Sequence, residues 1–109
     1  MSKTIFKQVL GEVAGEVKIE LPENSAILSV INQNDTVVVY YLCDPEETKK
    51  FTFKFCMFHT GDILPESVSN MSYLKTISLV NGSYILHVFV DLCALEEQNH
   101  SSEISTSDV

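Results

Sequence analysis

Polar and apolar side chains alternate with a period of two through most of this chain, the mark of half-buried strands. "EVKIEL" places Val17, Ile19 and Leu21 on one face and Glu16, Lys18 and Glu20 on the other. "PENS" then turns the chain, since Pro22 cannot continue an interior strand. "AILSVI" and "TVVVYYLC" follow, joined by "NQND", whose Asn and Asp side chains suit a tight local turn. The second of these runs is apolar on both faces and is the expected central strand, ending at a "DPEE" turn around Pro45.

The clearest alternation is in "KKFTFKFCMFHTGD". Phe51, Phe53, Phe55 and Met57 line one face, and Lys50, Thr52, Lys54 and Cys56 the other. Four large apolar side chains, each worth roughly 1.5–3 kcal/mol on full burial, fix that register, because a one-residue slip drives two lysines inward. "ILPESVSN" has no clear period and fits a short helical turn from Pro65 to Val68. "YLKTISLV" and "YILHVFVDL" flank Asn81-Gly82-Ser83, where Asn-Gly predicts a hairpin with a type I′ turn. Six or seven strands with short turns and almost no helical pattern predict an all-β fold, a compact antiparallel β-sandwich or barrel. The expected organisation is a single β domain over residues 1–95 and an acidic, Ser-rich disordered tail over 96–109, "EEQNHSSEISTSDV".

Charge narrows the partners. The 109 residues include 7 basic and 15 acidic side chains, a net charge of −8, and Glu96, Glu97, Glu103 and Asp108 in the tail carry half of it. Every basic residue is a lysine, so the guanidinium fork that grips phosphate and guanine is absent, as is tryptophan. Direct nucleic-acid binding is therefore not expected. Cys43, Cys56 and Cys93 form no C-x-x-C pair, which suits reduced, packed thiols in a cytoplasmic protein. The start "MSKTIFKQVLGEV" lacks a sustained apolar core, and no stretch approaches the ~20 apolar residues of a membrane span. No membrane association is expected, whereas a thin core at this length gains from homo-oligomerisation.

Candidate chemistry is sparse. His59, His87 and His100 show neither H-x-H nor H-x-x-x-H spacing, and Cys56 with His59 makes only two ligands, so no metal is expected. His87 reads as a hydrogen-bonded histidine that shares a strand's second face with Ile85 and Phe89. There is no G-x-S-x-G elbow and no Gly-rich phosphate loop, which argues against an enzyme and against a cofactor. "HTGD" is the most site-like stretch. Gly61 permits a tight turn, Thr60 and Asp62 offer oxygens, and successive N–H groups there suit an anion-cradling nest, although a capped strand end uses the same residue types. Tyr40, Tyr41, Tyr73 and Tyr84 fit a pocket wall, an interface or a core.

The fragments "TIFKQVL", "IELPENSAILSVINQ", "FHTGD", "YLKTISL" and "HVFVDL" occur in the order seen in a small uncharacterised domain family of tailed phages and prophages, which the chain resembles over roughly residues 3 to 92. The likeness keeps Pro22, Ala26, Gln33, Thr60, Gly61, Thr76, His87, Val88 and Phe89, and departs at His59, where the family has Gly, and at Asp62, where it has His. It implies an all-β phage accessory protein in the host bacterial cytoplasm. By analogy with phage biology, the expected function is non-catalytic: a host-defence antagonist that sequesters a small nucleotide-derived immune signal. Two alternatives remain: occlusion of a host defence protein by direct contact, and a structural or assembly role. The expected ligand-binding residues are Lys54, His59, Thr60, Gly61, Asp62, Tyr73 and His87.

Overall fold

In the computed structural model, which describes residues 2–91, the chain forms seven strands. They are β1 (Thr4–Gly11), β2 (Gly15–Pro22), β3 (Ala26–Asn32), β4 (Val37–Cys43), β5 (Lys50–Phe58), β6 (Met71–Leu79) and β7 (Tyr84–Asp91), with a 3-10 turn over Glu66–Asn70. The expected tail at 96–109, with His100, and Cys93 lie outside the described residues. Two antiparallel sheets result, of order β1-β4-β3 and β2-β5-β7-β6. Of the two all-β folds expected from the alternation, sandwich or barrel, the two separate sheets make the sandwich.

Burial follows the predicted faces. Val37, Val39, Tyr41 and Cys43 of β4 meet Phe53, Phe55 and Met57 of β5 and Leu86, Val88 and Val90 of β7 in one core cluster between the sheets. Leu21 from β2 joins it, as do Leu10, Val30, Ile77 and Leu79, with Val17 and Ile19 packed alongside. β4 is the middle strand of its sheet, and its outward-facing Val38 is buried as well, as expected of a run apolar on both faces.

The expected tight turns form, one of them inside a longer loop. Gln33 and Thr36 exchange backbone hydrogen bonds (N–H to O distances 2.8 and 3.2 Å) around Asn34 and Asp35, which have φ of 58° and 61°. Positive φ at both central residues is what a type I′ turn requires, so that turn joins β3 to β4. Asn81-Gly82 forms the predicted type I′ turn, since the Ser83 N–H donates to the Val80 carbonyl (3.0 Å) around two residues of positive φ, but strand pairing stops short of it. Leu79 pairs with Tyr84 across a four-residue loop in which Val80, Asn81 and Gly82 all have positive φ, at 51°, 54° and 90°.

The connection from β5 to β6 positions the site. β5 ends with Phe58 opposite His87, midway along β7, whereas β6 begins with Met71 opposite Asp91, at the end of β7. Residues 59–70 must therefore run back across β7. They do so over the outer face of the four-stranded sheet, where His59 to Asp62 and Leu64 stand over His87 and Phe89, and Pro65 and Ser67 over Lys54 and Cys56. Pro65 precedes the 3-10 turn, close to the predicted Pro65–Val68.

Candidate functional site

The outer face of the four-stranded sheet carries alternate residues of each strand, and cross-strand pairing sets Phe58 beside His87 and Tyr73 beside Phe89. On β6 the alternation breaks, because a bulge between Tyr73 and Lys75 shifts the register. Without it, Tyr73 and Lys75 would share the outer face. With it, Thr76 takes the place opposite His87, and Ile77 turns into the core.

A hydrogen-bonded row follows from that shift. Tyr73 Oη lies 2.7 Å from Thr76 Oγ1, Thr76 Oγ1 lies 2.9 Å from His87 Nδ1, and His87 Nε2 lies 2.7 Å from Thr60 Oγ1. Both imidazole nitrogens are thereby engaged, as the reading of His87 as a hydrogen-bonded strand residue requires. Phe89 stacks edge-on against Tyr73 and Phe58, with ring centroids 5.5 and 5.7 Å apart, and forms the apolar wall beside the row.

"HTGD" closes the strand as a tight turn. Asp62 N–H donates to the His59 carbonyl (3.2 Å), and His59 N–H donates to Asp62 Oδ2 (2.8 Å). Gly61, at φ +94°, occupies the third position, where a type II turn demands positive φ. The capped strand end and the site are thus one object: the cap holds Thr60 where its hydroxyl reaches His87. The nest expectation is weakened, because the N–H groups of His59 and Asp62 are spent inside the turn. His59 Nε2 lies 3.0 Å from Tyr84 Oη with the rings edge-on, and its Nδ1 lies 3.7 Å from Asp62 Oδ2.

Phe58, His59, Thr60, Gly61, Asp62, Leu64, Tyr73, His87 and Phe89 line an open cavity of about 220 Å³ between the crossover and the sheet. Six of the seven residues expected at a site are brought together here. Lys54 is not among them. It lies four residues before Phe58 on β5, bonded to Glu16 (2.9 Å) and facing Asp91 (3.5 Å). The Lys54 ammonium holds the Glu16 carboxyl below its ordinary range, and the Glu16 carboxylate raises Lys54 in return. Lys54 borders a separate depression with Cys56, whose thiol is pushed up by burial.

Thr76, Phe58, Leu64 and Phe89 belong to the site and escaped the sequence reading. Only Phe89 had a local signal, as the neighbour of His87 on the strand's second face. Among the described residues, no group of three or more His, Cys, Asp or Glu side chains is placed to hold a metal ion, and no helix is long and apolar enough to cross a membrane.

The chain belongs to the family described as a domain of unknown function, DUF7352, whose model matches residues 1–99. No curated protein and no solved structure matches it.

Proposed function

We propose that this member of the family is a non-catalytic, phage-encoded binding protein that sequesters a small nucleotide-derived immune signal of the host. The supporting observation is the cavity beneath the crossover, where an aromatic wall and a row of hydroxyl and imidazole groups converge. That combination of apolar surface with a few fixed polar groups is the usual character of small-molecule sites. A cavity of about 220 Å³ is smaller than the roughly 300–1,000 Å³ of typical ligand pockets, so it suits one ring-sized part of a ligand. The rest of a larger signal would lie outside it, on the surface or against a second copy.

Sequestration needs tight binding without turnover, and nanomolar affinity corresponds to about −12 kcal/mol. Titration calorimetry with adenosine, cyclic mononucleotides, cyclic dinucleotides and adenosine-diphosphoribose derivatives tests the reading. Saturable heat that Phe89→Ala abolishes is the expected result, and no heat from any of them would end it.

Occlusion of a defence protein is the second reading. Ile5 and Val9 on β1 and Leu28 on β3 are about half exposed, and β1 and β3 are the edges of the three-stranded sheet. An apolar edge of that kind suits pairing with another chain. On this reading Ile5→Lys with Val9→Lys abolishes antagonism of host defence, whereas Phe89→Ala in the cavity leaves it intact.

A further inference from the structure

The row Thr60–His87–Thr76–Tyr73 has two open ends, and their polarity is coupled. A neutral imidazole donates from one nitrogen and accepts at the other. If Thr60 donates to His87 Nε2, then Nδ1–H donates to Thr76, Thr76 donates to Tyr73, and Tyr73 keeps its own hydrogen for a ligand while Thr60 offers only lone pairs. In the opposite sense Thr60 is the free donor and Tyr73 the acceptor. Neutral His87 thus allows one free donor in the row. Protonated His87 donates from both nitrogens, so Thr60 and Tyr73 both present O–H to the cavity.

Charge leads to the same place. No lysine lines the cavity, Lys54 is engaged by Glu16 and Asp91, and the chain contains no arginine. The groups packed around His87 come from the crossover and from three strands. The crossover brings His59 and the Asp62 carboxylate, β6 brings Thr76 and the Tyr73 phenol, β7 itself carries Tyr84, and β5 presents the apolar Phe58. A cation able to face an anionic ligand here must come from an imidazole, and His87 is the one that also sets the donors at both ends of the row.

Resting on the reading of this cavity as a nucleotide-ligand site, we propose that it takes up a proton on His87 when it binds a phosphodiester-bearing ligand. The acceptor-rich anion meets two hydroxyl donors and one imidazolium, and the proton comes from solvent. Affinity then falls as pH rises, since the bound complex favours the protonated ring.

The test compares adenosine 3′,5′-cyclic monophosphate, whose single charge does not change between pH 6 and pH 8, with uncharged adenosine on the full chain. Uptake of one proton on binding weakens the cyclic nucleotide as pH rises from 6 to 8, by at most about tenfold per pH unit. Adenosine should bind equally at both values. Calorimetry at pH 7 in two buffers of different ionisation enthalpy should show proton uptake with the cyclic nucleotide alone, and His87→Gln should remove both effects. Proton uptake in the unaltered protein decides the point if that variant fails to fold. Equal binding of the cyclic nucleotide at both pH values with no proton uptake overturns the inference and leaves the cavity as a binding site. Coupling that survives His87→Gln and is lost in His59→Gln overturns the assignment to His87. Failure of both ligands at both pH values removes the underlying reading and this inference with it.

Discussion

The Asp35 carboxylate accepts a hydrogen bond from the backbone N–H of Val80 at 3.0 Å, joining the β3–β4 turn of one sheet to the β6–β7 loop of the other. Asn32 supports the junction twice: its Nδ2 donates to the Ser78 carbonyl (2.8 Å), and its Oδ1 accepts from the Asp35 N–H (2.8 Å). Asp35 also sits at φ 61°, a conformation that Asp and Asn tolerate better than most side chains. Asp35→Ala should therefore lose both the inter-sheet bond and conformational compatibility, about 1–3 kcal/mol in urea unfolding. Asp35→Asn keeps an acceptor and the turn, and should cost less than half as much.

Val80 bears the strain at that junction. A β-branched residue at φ 51° is an outlier, and its side chain is 53% exposed, so little burial offsets the conformation. Val80→Asn should stabilise the protein by about 1 kcal/mol, read as a rise in thermal midpoint. A fall would mean that the Val80 side chain contributes more packing than its exposure indicates.

Lys54 is structural. Its ammonium faces Asp91, which is 7% exposed, and bonds Glu16, so Lys54→Met removes a cation beside a buried carboxylate. The expected cost is about 1–3 kcal/mol at neutral pH, between that of exposed and buried pairs, with ligand binding at the cavity unchanged. The signs of the shifts set the pH window. Glu16 is held below its ordinary 4.5, so its contribution is present above that pH and disappears as acid takes pH through the lowered value. Lys54 is raised above 10.5, so its contribution is present below that pH and disappears as pH climbs through the raised value. The stability gap between the native protein and Lys54→Met should accordingly be widest between these limits and narrow on both sides of them.

The faces of β2, β4, β5 and β7 were legible because a buried core on one side enforces strict alternation, as with Phe53, Phe55 and Met57. The type I′ turn at Asn81-Gly82 was legible as well, and the one at Asn34-Asp35 as a tight turn. What composition does not give is that strand pairing stops at Leu79, where the next residue, Val80, is tied to Asp35, 45 residues away. Thr60 and His87 were readable as candidates, but their meeting depends on where the crossover runs. Thr76 was hidden by the bulge at Leu74, since plain alternation puts Lys75 beside Tyr73. A bulge leaves little trace in composition, and this one decides whether a lysine or a hydroxyl stands next to His87.

Thr60→Val and Tyr73→Phe test the row from its two ends. Each removes one hydroxyl and keeps the shape, Tyr73→Phe preserving the edge-on contact with Phe89. Each should weaken a nucleotide ligand by roughly 3–10-fold, in line with about 1 kcal/mol for a single hydrogen bond, with little change in stability because both groups border an open cavity. The informative quantity is the double variant. Independent sites would add their losses, whereas two ends of one row share a single donor order through Thr76 and His87. The double variant should therefore lose clearly less than the product of the single losses when Kd values are compared at pH 8 for uncharged adenosine, which calls for no proton on His87. Strict additivity there would show that the hydroxyls act separately and that the row transmits nothing between them.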